Sequence, residues 1–172
     1  NEHMEVTISK ATGGIVSIYD FRTRANRLSQ QLALRMPGAR AAPGEMWRDP
    51  DEDVEYSVMV ADKVEKVSVN QSSPTIVTST GRLVDRTGKT LAHFEQVFYL
   101  HVGSRLLHVD IELKVEEEPR ADPWNSYYAT RFAWHDATAE ITRSLGLCRV
   151  QTDAKRIESP GFVEIAGDKT RT

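Results

Sequence analysis

Leu107-His108-Val109-Asp110-Ile111-Glu112-Leu113-Lys114-Val115-Glu116 decides the fold class. Apolar side chains occupy the odd positions and polar ones the even positions, which is the period of two that a pleated strand imposes. The segment therefore reads as one long strand with a single wet face. Just upstream, Phe94, Phe98, Leu100 and Val102 share the even positions of another run. Gly103, Ser104 and Arg105 supply a permissive turn between the two, so the pair reads as an antiparallel hairpin. Further upstream, Leu83 and Val84 are joined to Leu91 through Asp85-Arg86-Thr87-Gly88-Lys89, a second hairpin whose Gly88 tolerates a positive φ.

The same reading extends to both ends of the chain. Val6 and Ile8 alternate with Thr7 and Ser9, Thr12-Gly13-Gly14 intervenes, and Ile15, Val16, Ile18 and Tyr19 resume a strand-like run, giving a third hairpin. Further strands are expected around Tyr56 to Val60, Val64 to Val69, Thr75 to Thr80, Tyr127 to Trp134, Ala139 to Leu145 and Phe162 to Ile165, separated by Gly and Pro. Only Asn26 to Leu34 has any helical spacing, in Leu28 and Leu32, and the alternation of Leu32 with Leu34 opposes it. Many strands with meander-like turns and no βαβ alternation point to an all-β antiparallel β-sandwich, because each apolar face needs a partner layer. Two irregular stretches interrupt it, Met36 to Asp53 and Pro119 to Tyr128, and such connections are where binding residues concentrate.

The chain has 172 residues, 40% hydrophobic and 27% charged, enough apolar material for one packed domain. Its formal charge is −3 and it lacks a basic block, so nucleic acid is not an expected partner. No apolar run approaches the ~20 residues that cross a bilayer, and no membrane role is expected. Cys148 is the sole cysteine, which excludes an internal disulfide and a multi-cysteine zinc site and leaves the compartment open. A start at Asn1 and a polar end from Asp168 to Thr172 are what a segment of a longer polypeptide would show.

No nucleotide or metalloprotease motif is present, and the five histidines are dispersed, so neither a catalytic residue nor a metal ligand is assigned. The acidic runs Asp49 to Asp53 and Glu116 to Glu118 read as solvated. The densest aromatic region is Asp122 to Trp134. Flat rings cover the C–H face of a pyranose while Asp, Asn and Arg reach its hydroxyls. The candidate carbohydrate-binding residues are thus Asp122, Trp124, Asn125, Tyr127, Tyr128 and Arg131, with His135 beyond them. The competing reading makes these aromatics caps on the core, and Trp47 a lid or a contact with a neighbouring domain.

The order of motifs resembles the C-terminal β-domain of glycoside hydrolase family 38, the α-mannosidases. The likeness opens with the strand Met4 to Ser9 and Thr12-Gly13-Gly14-Ile15-Val16-Ser17-Ile18-Tyr19-Asp20. It continues through Trp47, Leu91 to Leu100, Gly103 to Leu107, Asp122-Pro123-Trp124 and Arg131-Phe132-Ala133, and so spans most of the chain. The resemblance implies a galactose-mutarotase-like supersandwich, here a partial domain. It also implies a parent glycosidase whose divalent metal and nucleophile belong to a separate catalytic domain of the same polypeptide. This segment would then be a non-catalytic scaffold that contributes carbohydrate contacts, with no cofactor of its own. Strands left without partners would expose sheet edges that favour a dimer. Two other readings stand beside it: a free-standing carbohydrate-binding module, and an aldose epimerase in which His93, His135 and Glu95 exchange protons with the sugar.

Overall fold

The computed structural model describes residues 1–22, 24–26, 28–36, 54–67, 74–121, 125–134, 138–153, 161–167 and 170–171, and every regular element among them is a strand. In chain order these are β1 (Met4–Ile8), β2 (Ile15–Asp20), β3 (Ala25–Asn26), β4 (Ser29–Met36), β5 (Glu55–Tyr56), β6 (Val58–Val67) and β7 (Thr75–Val84). They continue as β8 (Thr90–Leu100), β9 (Leu107–Val115), β10 (Tyr127–Ala133), β11 (Glu140–Leu145), β12 (Cys148–Thr152), β13 (Val163–Gly167) and β14 (Thr170–Arg171). Sheet A runs β1-β2-β4-β10, with β3 on β2 and β5 on β4. Sheet B is the meander β6-β7-β8-β9, and sheet C runs β12-β11-β13-β14. All pairings are antiparallel, so the chain is an all-β, sandwich-like protein, as the alternation predicts.

Sheets A and B share the core. Leu32 of β4 packs with Met59 of β6, Leu83 of β7, and Ala92 and Phe94 of β8, while Leu113 of β9 and Tyr128 of β10 flank the cluster. Burying each large apolar side chain here stabilises the fold by roughly 1.5–3 kcal/mol, which is why the inward positions at this cluster are apolar. Gly81 is the exception, and it is a required one. It sits opposite Ala61 on one side and Phe94 on the other, and a Cβ there would press into the Val60 carbonyl and come within 2.7 Å of the Phe94 ring.

A polar layer lies next to this cluster. Gln30 Nε2 donates to Gln96 Oε1 at 2.8 Å, and Gln96 Nε2 donates to the Gly13 carbonyl at 3.2 Å. Both glutamines are buried, so the hydrogen bonds offset much of their desolvation and fix β4, β8 and the β1–β2 turn in register. Gly13 takes φ 79 in that turn, over the buried Ser79.

Ser57 is the corner where the chain changes sheets. β5 pairs with β4 in sheet A, β6 belongs to sheet B, and Ser57 between them is buried. Its amide donates to the Leu34 carbonyl at 3.0 Å and its hydroxyl accepts from the Leu34 amide at 2.8 Å, as a strand residue would. The stretch Tyr56 to Val60, expected as one strand, is therefore two. The separate expectations at Tyr56 to Val60 and Val64 to Val69 are joined by β6, which carries a bulge between Ala61 and Lys63. The undecided segment Asn26 to Leu34 is strand, because its inward phase is Gln30, Leu32 and Leu34 and the glutamine hides the alternation. β12 has no counterpart in the sequence reading. It follows β11 through a two-residue turn in which Gly146 has φ 61, and its apolar content is only Cys148 and Val150.

The predicted turns at Asp85 to Lys89 and Gly103 to Arg105 are present, with Gly88 at φ 87 and Gly103 at φ 76. Asp85 Oδ1 accepts from the Thr87 amide at 2.8 Å, the Thr87 hydroxyl at 2.7 Å and the Lys89 amide at 3.0 Å. Lys89 itself pairs with Glu117.

Candidate functional site

The strand β10 divides the candidate sugar residues by parity. Its register against β4 sets Tyr127 opposite Arg35, Ala129 opposite Ala33 and Arg131 opposite Gln31, all on the face of sheet A that turns away from sheet B. Tyr128, Thr130 and Phe132 take the other phase, opposite Leu34, Leu32 and Gln30, toward sheet B. The expected cluster is thus split by the sheet.

On the outer face two guanidinium groups lie over two tyrosine rings. Arg35 Cζ is 5.8 Å from the Tyr127 centroid, and Arg131 Cζ is 3.8 Å from the Tyr56 centroid. The second is close face-on cation–π packing, and the first is at the limit of such contact. Tyr56 belongs to β5, which pairs with β4 opposite Arg35, so Arg131 reaches it diagonally across the row that carries Ala33. Arg35 is only 1% exposed, and its Nη1 donates to the Asn125 carbonyl at 2.9 Å and to Asn125 Oδ1 at 3.2 Å. Asn125, Tyr127 and Arg131 are therefore brought to one face, and Arg35 and Tyr56 join them. Neither of the latter is recognisable from sequence, since they arrive from segments far away through the β4–β10 and β4–β5 pairings.

Tyr128 works on the inner side. Its ring packs on the core, and its hydroxyl lies 2.9 Å from the Leu91 carbonyl and 2.8 Å from the Glu117 carbonyl, one proton serving both. Burial, and the nearby Glu117 and Glu118 carboxylates, push its phenol above the usual value of 10.0. Its hydroxyl is engaged in holding β10 to the ends of β8 and β9. Asp122, Trp124 and His135, together with Trp47 and the acidic run Asp49 to Asp53, lie outside the described residues. Of the epimerase candidates, His93 and Glu95 stand on the solvent face of β8, where His93 Nε2 is 3.2 Å from Glu116 Oε1. Among the described residues no three His, Cys, Asp or Glu side chains converge as metal ligands would, and no helix is long and apolar enough to cross a membrane.

The sandwich is open along the β9/β10 flank. Phe132 has the inward phase of β10 yet is 53% exposed, and Ile111 and Val115, on the inward phase of β9, are each 38% exposed. Trp134, just past β10, is also exposed. Apolar side chains on inward phases that remain wet mark an interaction surface more than a solvent surface.

Fold and face together define an all-β antiparallel sandwich-like protein with a guanidinium–tyrosine face and one uncovered flank. No protein-family model, curated protein or solved structure matches the chain.

Proposed function

We propose that this chain is a non-catalytic β-sandwich segment of an α-mannosidase-like glycosidase, and that its open flank packs against the catalytic domain of the same polypeptide. The observation that carries the reading is the β9/β10 flank, where inward-phase Phe132, Ile111 and Val115 remain in water. The motif order from Met4 to Ala133 supports this choice of partner, since it resembles the β-domain of that glycosidase family. Divalent-metal chemistry would then reside in the partner domain. The scaffold role is favoured over a sugar-binding role because Arg131 is stacked on the Tyr56 ring, Asn125 is held by Arg35 and the Tyr128 hydroxyl is engaged.

The deciding experiment expresses the native reading frame to both of its ends and compares it with the 172-residue chain. Hydrolysis of an aryl α-mannoside by the longer protein with a divalent metal, its loss in Phe132→Asp, and no hydrolysis by the short chain are expected. A full-length protein without a catalytic domain or without that activity overturns the proposal. Sedimentation of the short chain adds a second readout, since a dimer abolished by Phe132→Asp would assign the flank to a second copy.

A second reading rests on Asn125, Tyr127 and Arg131 sharing one face. A carbohydrate-binding module predicts calorimetric affinity for mannosides that Arg131→Ala removes while the melting temperature stays within a few degrees.

A further inference from the structure

One step along the sheets from the Gln30–Gln96 layer, sheets A and B part around a cleft of about 290 Å³. Its size lies at the lower edge of the roughly 300–1,000 Å³ range of small-molecule sites. Met4, Val6 and Ile8 of β1 form one wall, and Val77, Phe98 and Leu100 of β7 and β8 form the other. The first wall is fixed in place by Asn1, whose side-chain amide donates to the His101 and Ser104 carbonyls, both at 2.7 Å, and whose Oδ1 accepts from the His3 and Met4 amides. The cleft is therefore held open by the fold, and Asn1 has no side-chain hydrogen-bonding capacity left for a ligand.

Its remaining polar groups are few. Lys66 stands on the same face of sheet B as the apolar wall, opposite Val77, which in turn is opposite Phe98. Thr75 and Glu5 also line it, and Phe21 and Leu107 extend the apolar surface. Among the described residues Lys66 is in no ion pair, so the cleft presents its ammonium beside a long apolar surface, while the α-ammonium of Asn1 donates to the Met4 carbonyl at 3.2 Å.

We propose that this cleft binds a short- to medium-chain aliphatic monocarboxylate, with the carboxylate on Lys66 Nζ and the Thr75 hydroxyl and the alkyl chain between β1 and β7–β8. The walls lack the ring of donors and acceptors that a sugar needs. A phosphate dianion is disfavoured because it calls for guanidinium forks or a nest of backbone N–H groups. A single negative charge meets the Lys66 ammonium, and the alkyl chain gains from leaving water.

The test titrates the ¹⁵N-labelled full chain with octanoate, octanol and octylammonium. Octanoate should give saturable shifts confined to amides of β1 and to the ends of β6, β7 and β8 that line the cleft. Lys66→Met, which keeps the aliphatic stem, should weaken octanoate roughly tenfold while leaving the rest of the spectrum in place. Octanol binding as well as octanoate would make the cleft merely apolar and overturn the proposal. Preference for octylammonium, or octanoate affinity unchanged in Lys66→Met, would overturn its polarity. The absence of saturable shifts would overturn the site itself.

Discussion

The centre of the sandwich and its β9/β10 flank are built from the same strand pattern and end in different environments. β9 pairs with β8 along its whole length, Phe94 opposite Leu113 and Phe98 opposite Val109. Yet Phe94 is 4% exposed, while Ile111 on the neighbouring strand is 38% exposed. The strand with the cleanest alternation in the sequence is thus one of the wettest in the molecule. Period two dictates which side chains share a face, and only the presence of a second layer dictates whether that face is covered.

The sharpest way to break the comparison is to make one truncation in both places. Phe94→Ala should cost about 3–5 kcal/mol, the usual penalty for emptying a buried phenylalanine site, whereas Phe132→Ala should cost less than about 1 kcal/mol. Urea unfolding with matched slopes measures both, and equal costs would mean that the flank is covered in solution. Gly81→Ala comes next, at roughly 1–3 kcal/mol, because the new methyl group meets the β6 main chain and the Phe94 ring. Its partner change, Gly81→Ala with Phe94→Leu, should recover part of that loss if the ring is the obstacle. The smallest effect is at the β7–β8 turn. The Thr87 hydroxyl, with the Lys89 and Thr87 amides, holds the Asp85 carboxyl below its ordinary value of 3.8. A depressed folded-state value contributes stability that is complete above the ordinary value and is lost as pH falls through the folded one. Asp85→Asn should lower stability slightly at neutral pH, converge with wild type once the pH falls below the folded-state value, and so flatten the acid limb of a melting-temperature profile.

The legibility of the molecule follows the range of its contacts. β7, β8 and β9 can be read from the sequence because each strand pairs with the next through a short turn, so local alternation and turn residues carry the whole message. β4 resists that reading because its inward phase begins with Gln30, whose partner Gln96 lies on another sheet. The guanidinium–tyrosine face is less legible still. Asn125, Tyr127 and Arg131 stand together in an aromatic segment, but Arg35 and Tyr56 become their neighbours only through the pairings of β4 with β10 and β5. Tyr128 sits between Tyr127 and Ala129 in sequence and on the opposite side of the sheet in space, a division that follows from assigning the strand's phase.

The passage at Ser57 also bears on the order of assembly. Sheet B is a continuous meander whose neighbours are consecutive in the chain, whereas sheet A closes only when β10 reaches β4 across the whole of that meander. Chain-entropy cost grows with such separations, so the β6–β9 meander should collapse early and the docking of β10 should set the slow folding phase. Arg35, which is deeply buried once Asn125 and Tyr127 are in place, would stay hydrated until that last step. The outer face of sheet A is then the final part of the molecule to acquire its native chemistry.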